Sequence, residues 1–182
     1  MTMKKILLLI FFILISNAIY SQSYIGTITK QVNFREGPST LDNIISSLKL
    51  NTQIFIISLE TENDYYNIID IGSDKEGYVN KSFVKVGKLI DKSNGSFIAA
   101  SGNSSNNDSE AKIFNNTNIT MSLKLNETVY RFSPQETKNI TLIPGEYNFR
   151  ASAPGVIPKI GTKDFENNRI YTWQFYIVTS RR

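Results

Sequence analysis

The side chains that could do chemistry in this chain of 182 residues are carboxylates, hydroxyls and lysines, because the sequence has no histidine and no cysteine. A Ser-His-Asp triad and a Cys-His nucleophile pair are therefore excluded. Zinc would find only carboxylates, which suit harder metals. A Ser-Lys dyad or a carboxylate pair such as Asp164 and Glu166 stays open, but an exposed strand would carry the same residues. We therefore expect no enzyme, no metal site and no cofactor.

The charge of the chain argues against a nucleic-acid partner. The formal net charge is +4, and setting aside Lys4 and Lys5 with a leader segment leaves 18 basic against 16 acidic residues. These charges are dispersed along the sequence, whereas a nucleic-acid interface needs a clustered basic surface. A content of 41% hydrophobic and 20% charged residues is typical of a globular protein.

Residues 1–21 have the pattern of a signal peptide. Lys4 and Lys5 precede an unbroken apolar run over residues 6–15, which is too short to cross a bilayer of about 30 Å comfortably. Cleavage after Ala18 or Ser21 would start the mature chain between residues 19 and 22. A transmembrane anchor is the alternative. We expect export to the periplasm or the medium, with no membrane insertion after removal of the signal and, without cysteine, no disulfides.

Four short motifs follow in order within residues 24–86. They read N-x-R-x-G-P-S at residues 33–39, I-x-x-L at 45–48, Y-Y-N-I at 65–68 and G-Y-V-N at 77–80. This order resembles the bacterial SH3 (SH3b) family, in which the motifs usually read L-N-V-R-x-G-P-S, G-W-Y-K-V and G-W-V. The chain departs from the family at Tyr65 and Tyr78, where tryptophan is usual, and at Asn51, where a turn glycine is common.

The resemblance implies a small SH3-like barrel over residues 22–89 that recognises a cell-wall peptide, with peptidoglycan the expected ligand. We expect Arg35, Glu36, Tyr65 and Tyr78 to line the binding site. In this hypothesis Arg35 pairs with a ligand carboxylate and the two tyrosines stack on the ligand backbone. The alternative for Arg35 is a structural salt bridge with a neighbouring carboxylate.

Period-2 alternation predicts which faces of the sheet these residues occupy. If Ile68 points into the core, Tyr66 does too, and Val79 is the core residue of the G-Y-V-N motif. Tyr65 and Tyr78 then share an exposed outer surface. That pair is either an aromatic platform for a ligand or a cross-strand pair that only stabilises the sheet.

Residues 90–110 change in composition. Serine, asparagine and glycine dominate, around one apolar island at residues 97–100. This composition predicts a flexible polar linker, with proteolysis falling first between Asp91 and Ser109.

Residues 111–182 carry short alternating runs separated by turn signals such as Asn126-Glu127 and Pro144-Gly145. Six or seven such strands predict an antiparallel β-sandwich, with Trp173 in its core. The segments at residues 142–147 and 153–155 are similar to a pattern of small immunoglobulin-like bacterial surface domains. The sequence thus predicts an all-β chain, a small SH3-like barrel followed by an antiparallel β-sandwich. Its expected function is binding of a cell-wall glycan or peptide, or of another extracellular peptide. The alternative is a structural or adaptor protein of the cell envelope, in which the SH3b domain contacts an envelope protein.

Overall fold

The computed structural model describes residues 22–177, which form strands and one 3-10 turn, Lys81–Phe83, so the prediction of an all-β chain is confirmed. The first seven strands are β1 (Ser23–Ile28), β2 (Val32–Arg35), β3 (Ile44–Leu48), β4 (Gln53–Glu62), β5 (Tyr65–Asp70), β6 (Lys75–Asn80) and β7 (Val84–Ile90). The remaining strands are β8 (Ala99–Asn103), β9 (Ser109–Asn115), β10 (Met121–Leu125), β11 (Thr128–Phe132), β12 (Thr137–Leu142), β13 (Gly145–Ala153), β14 (Val156–Phe165) and β15 (Arg169–Phe175).

The predicted signal peptide lies outside the described residues. Across residues 22–177 we find no helix with the length and apolar character needed to span a bilayer.

The first seven strands form one sheet, here called the N-terminal sheet, in the order β3-β2-β6-β5-β4-β1-β7. The SH3-like barrel predicted for this region is wrong in one respect, because β3 and β7 remain edges and the ladders do not close. Both edge strands bury little side-chain surface, so nothing draws them together. Strand β2 joins β6 through the single residue pair Arg35 and Tyr78.

One face of the N-terminal sheet carries its core. The buried side chains there are Ile28, Phe34, Leu48, Ile54, Ile56, Ile68 and Val79. The alternation argument is confirmed for Ile68 and Val79, and Tyr66 is partly buried against the same cluster. Asn51 adopts a φ of 66° in the turn before β4, a conformation that asparagine tolerates better than most residues.

The remaining strands form a sandwich of two four-stranded sheets. The first sandwich sheet has the order β11-β10-β13-β14 and the second has the order β12-β9-β15-β8. The predicted antiparallel arrangement holds for all named ladders except β9 with β15, which run parallel. This pair is parallel because residues 116–168, which build the first sandwich sheet and β12, form the long crossover that parallel strands need.

Aromatic and aliphatic side chains from both sandwich sheets fill the space between them. Trp173 is 5% exposed and belongs to this core, as predicted. Its ring centroid lies 5.4 Å from that of Phe149 and 4.8 Å from that of Phe175. The predicted two-residue turn also forms, since β10 ends before Asn126 and β11 begins after Glu127.

The prediction of a flexible linker over residues 90–110 is wrong. Ile98 is 1% exposed within the sandwich core, and β8 and the start of β9 fall inside the predicted linker. Its polar residues are ordered by hydrogen bonds: the amides of Gly95 and Ser96 donate to the side chains of Ser93 and Asn94. The apolar island supplies core contacts that the surrounding composition hides.

The N-terminal sheet packs against the outer face of the first sandwich sheet, so the molecule has three layers. A buried apolar cluster joins them, formed by Phe55, Ile69 and Ile71 from the N-terminal side and Ile160 from β14. The amide of Gly155 donates to the carbonyl of Ile71 over 2.7 Å. The two halves of the chain therefore share a core rather than being joined by a free tether.

Candidate functional site

The four residues predicted to line a site lie close together in the N-terminal sheet but do not all meet. Arg35 in β2 lies opposite Tyr78 in β6, and Tyr78 lies opposite Asn67 in β5. Tyr65 lies opposite Asn80, one step along the same face. Residues directly opposite one another project to the same face of a sheet. The predicted shared face of Tyr65 and Tyr78 is therefore confirmed, and Arg35 belongs to it.

Gly77 allows β2 to approach β6 at this point. A Cβ atom at position 77 would meet the carbonyl oxygen of Arg35 and would lie 2.7 Å from the ring of Phe34. Glycine is thus required for the close approach of the two backbones. Because Gly77 has no side chain, β2 can lie close enough to β6 for Arg35 to sit beside Tyr78.

A pocket of about 480 Å³ opens on this face, and Arg35 and Tyr65 are both in its wall. The other lining residues are Gln31, Val32, Asn33, Thr40, Ser47, Asn80 and Phe83. We call this the Arg35 pocket. Tyr78 flanks it without lining it. The wall is mainly amides and hydroxyls around one cation, a composition suited to a polar ligand with a negative charge.

The guanidinium of Arg35 is held by the loop that follows β2. Its Nη1 donates to the backbone carbonyl of Asp42 over 2.7 Å. No carboxylate pairs with Arg35 in the described part of the chain, so the alternative of a structural salt bridge is not seen there. A guanidinium has five N–H donors, which leaves donors for a ligand carboxylate.

Tyr65 is 8% exposed, so the prediction that it is an exposed platform is wrong. Alternation predicted its face correctly, but it carries no information on how far neighbouring side chains bury the ring. The hydroxyl of Tyr65 makes no hydrogen bond to any described residue. Tyr65 therefore offers a ligand a free hydroxyl in the wall of the pocket, and not the exposed stacking surface that we expected. Tyr78, which is half-buried, remains available for a peripheral contact.

Glu36 does not join Arg35 in the pocket. Its Oε2 accepts a hydrogen bond of 3.0 Å from Nδ2 of Asn43, and its side chain borders a separate groove where the N-terminal sheet meets the first sandwich sheet. Glu36 lies one residue past the end of β2 and is not among the residues that line the Arg35 pocket. The prediction that Glu36 lines the same site is therefore wrong.

Three of the seven lining residues that sequence reasoning missed are amides, Gln31, Asn33 and Asn80. Asn33 precedes Arg35 by two positions and Asn80 follows Tyr78 by two, so alternation could have found both. Oδ1 of Asn80 accepts a hydrogen bond of 3.1 Å from the amide of Ser82, capping the 3-10 turn. Gln31 Nε2 donates to Ser47 Oγ over 3.1 Å across the pocket wall. These contacts keep the polar wall in place before any ligand arrives.

The contact between the layers holds a partly exposed ion pair beside the apolar cluster. Arg150 Nη2 lies 2.6 Å from Glu76 Oε2, and Ser122 Oγ donates to Asp74 Oδ2 over 2.9 Å. Burial acts to raise the pKa of Glu76. The hydrogen bond and charge of Arg150, with a hydrogen bond from Asn67 and the charge of Lys124, outweigh burial and hold the pKa below its ordinary value.

Asp164 and Glu166 do not form a carboxylate pair. Asp164 is exposed, and Glu166 pairs with Arg169 at 3.3 Å. Residues 22–177 contain no group of three or more carboxylates placed to hold a metal ion.

Comparison with known proteins adds no relative. The chain matches no family model, no curated protein and no solved structure. The SH3b resemblance therefore stays a prediction, and the Arg35 pocket is the structural feature that bears on function.

Proposed function

We propose that this chain is an exported, non-catalytic binding protein whose N-terminal sheet recognises a peptide carboxylate, with the stem peptide of peptidoglycan as the leading ligand. The single observation that supports this proposal is the Arg35 pocket. There a guanidinium without a carboxylate partner in the described residues and an unpaired tyrosine hydroxyl line the same cavity.

The chemistry of the pocket favours a peptide with a free carboxylate. Planar guanidinium groups bind carboxylates through two parallel hydrogen bonds. The amide of Asn33 can donate to, and accept from, a peptide backbone, and Nδ2 of Asn80 can donate to one, since Oδ1 of Asn80 already accepts from Ser82. The motif order shared with SH3b proteins and the signal-like residues 1–21 support a cell-wall ligand outside the cytoplasm.

Co-sedimentation of the full chain with purified sacculi tests the proposal. A hydrogen bond to a charged group contributes about 1.5–3 kcal/mol, so Arg35→Gln should weaken binding roughly 10-fold or more. Tyr65→Phe keeps the buried ring and removes the hydroxyl, and it should weaken binding by roughly 2- to 10-fold. Arg131→Gln is the matched control, since Arg131 is an exposed arginine on β11 of the sandwich.

Equal binding of sacculi by Arg35→Gln, Arg131→Gln and the unsubstituted protein would show that the Arg35 pocket is not the binding site. Thermal unfolding of each variant should accompany the measurement, because Arg35 also supports the Asp42 loop. A variant that has the unfolding temperature of the unsubstituted protein but does not sediment with sacculi has lost binding and not stability.

The buried cluster of Phe55, Ile69, Ile71 and Ile160 favours a second candidate, a rigid envelope adaptor. Two halves that share a core present a fixed surface to a protein partner. In this reading the chain would not bind sacculi stripped of protein, whereas it would sediment with intact envelopes. The same co-sedimentation, made with both materials, separates the two functions.

A further inference from the structure

A second cavity lies in the sandwich, away from the Arg35 pocket. It has a volume of about 720 Å³ and takes lining residues from both sandwich sheets. Its aromatic lining residues are Phe97, Phe114, Trp173, Phe175 and Tyr176, and its aliphatic ones include Met121, Val156, Ile157 and Ile177. We call it the sandwich groove. Its size falls in the range of about 300–1,000 Å³ that small-molecule sites occupy.

Aromatic rings that contact one another form part of the wall of the sandwich groove. Trp173 contacts Phe97 at a centroid distance of 5.3 Å and Phe175 at 4.8 Å, which fixes the three rings against each other. At the mouth, Ile157, Tyr176 and Ile177 leave apolar surface in water. Contiguous exposed apolar surface of this kind often marks a place where something binds.

The charged residues that line the groove are all lysines, Lys112 and Lys159. Lys159 lies opposite Ala151 on the inner face of the first sandwich sheet, in the edge strand β14, where its side chain is exposed to solvent. Its Nζ lies 3.9 Å from the centroid of Phe97, and no described carboxylate pairs with it. The groove therefore combines a cluster of aromatic rings with a positive charge that no described carboxylate compensates.

Protection of an edge strand is the simpler explanation for a lysine at this position, because β14 is an edge and charges on an edge strand deter pairing with another chain. Lys163 has the same arrangement, since it is on the same face of β14 with its Nζ 5.1 Å from the centroid of Tyr171. Lys163, however, does not line the groove. A role confined to edge protection would make the two lysines equivalent, and this supplies a matched control.

We propose that the sandwich groove binds an amphipathic anion, an aliphatic chain that ends in a carboxylate. The chain lies against Phe97 and Trp173, and the carboxylate pairs with Nζ of Lys159. This site is independent of the Arg35 pocket, since the two share no lining residue.

Trp173 makes the proposal directly measurable, because it is the single tryptophan of the chain and it lines the groove. Laurate, below its micelle concentration, is titrated into the full chain and the tryptophan emission is followed. 1-Dodecanol has the same chain length without a charge. We expect a saturable emission change with laurate and about 10-fold weaker binding of 1-dodecanol.

Three variants test the geometry. Lys159→Gln should reduce laurate affinity to that of 1-dodecanol, and Lys163→Gln should leave laurate affinity unchanged. Ala99 is an exposed lining residue on β8, so Ala99→Phe should obstruct the groove and abolish binding of both ligands while leaving the urea midpoint unchanged.

Equal affinities for laurate and 1-dodecanol, or equal losses in Lys159→Gln and Lys163→Gln, would overturn the proposal. Normal laurate binding by Ala99→Phe would also overturn it. A final measurement uses vesicles that contain phosphatidylglycerol, to distinguish a free fatty acid from a lipid surface. An emission change with vesicles and none with laurate would overturn the proposal and would show that this surface contacts a membrane.

Discussion

Replacing Ile160 by alanine tests whether the three layers share a core. Ile160 is 8% exposed and packs against Phe55, Ile69 and Ile71 of the N-terminal sheet. Truncation of a buried isoleucine to alanine costs about 2–5 kcal/mol, because both transfer energy and a residual cavity contribute. We expect a loss of about 2–4 kcal/mol, since two sheets that meet face to face can close part of the cavity.

Ile157→Ala is the matched control. Ile157 is on the same strand, β14, and is 51% exposed. Its truncation should change the free energy of unfolding by less than about 1 kcal/mol, as surface substitutions usually do. Urea unfolding followed by Trp173 fluorescence and by far-UV circular dichroism measures both variants. The fluorescence reports the sandwich, and the circular dichroism reports all three sheets.

The double variant with Ile69→Ala separates contact between the layers from an effect inside the sandwich. Residues in contact show interaction energies of about 0.5–3 kcal/mol in such a cycle. Equal losses in Ile160→Ala and Ile157→Ala, or an interaction energy of zero with Ile69→Ala, would refute the shared core. The unsubstituted chain should also give coincident transitions with the two probes, since layers that share a core unfold together.

Three further predictions follow from the structure. The folded-state pKa of Glu76 is depressed. Ionised Glu76 therefore stabilises the fold above its unfolded pKa, and this contribution is lost as the pH falls through the folded pKa. Glu76→Gln should remove this contribution to the loss of stability that urea unfolding measures between pH 7 and pH 3. Broad-specificity protease should cut first at the exposed residues 105–108 and not at 97–103, as mass spectrometry of the first fragments would show; an early cut within 97–103 would mean that β8 is not part of the sandwich. Ile68→Ala should lose about 2–5 kcal/mol and Tyr78→Ala under about 1 kcal/mol in urea unfolding, and equal losses would show that the two faces are misassigned.

Local periodicity predicted much of this fold. Strand faces follow from alternation because a sheet with one buried face must place apolar side chains every second residue, and Ile68 and Val79 obey this rule. The turns at Asn51 and Asn126 follow from the tolerance of asparagine for positive φ. Trp173 aligns with aliphatic and aromatic neighbours in its strand, so its place in the core was also predictable.

Long-range contacts account for what sequence reasoning missed. Composition suggested a linker around Phe97, since serine and asparagine outnumber the apolar residues there, but a few core contacts and side-chain hydrogen bonds order the segment. Alternation cannot show which strand becomes a neighbour, so the parallel pairing of β9 and β15 had no signal in the sequence.

At the candidate site, too, local alternation was predictable and long-range contacts were not. Alternation placed Tyr65 and Tyr78 on one face, the SH3b resemblance supplied Arg35, and extending the alternation by two residues would have added Asn33 and Asn80. It gave no information on the covering of Tyr65. The burial of the Tyr65 ring depends on side chains from other parts of the chain. The residues that line the pocket beside it come from β2, β3 and the segment after β6.

The most direct test of the proposed function is a chemical-shift titration of the full ¹⁵N-labelled chain with muropeptides released from sacculi. A ligand carboxylate held by Arg35 should shift the amide signals of residues that line the Arg35 pocket, Asn33, Arg35, Tyr65 and Asn80, and leave the sandwich signals in place. The Arg35→Gln protein should show these shifts only at roughly 10-fold higher ligand concentration or above. Shifts that fall in the sandwich, or an absence of shifts in the unsubstituted protein, would contradict the proposal.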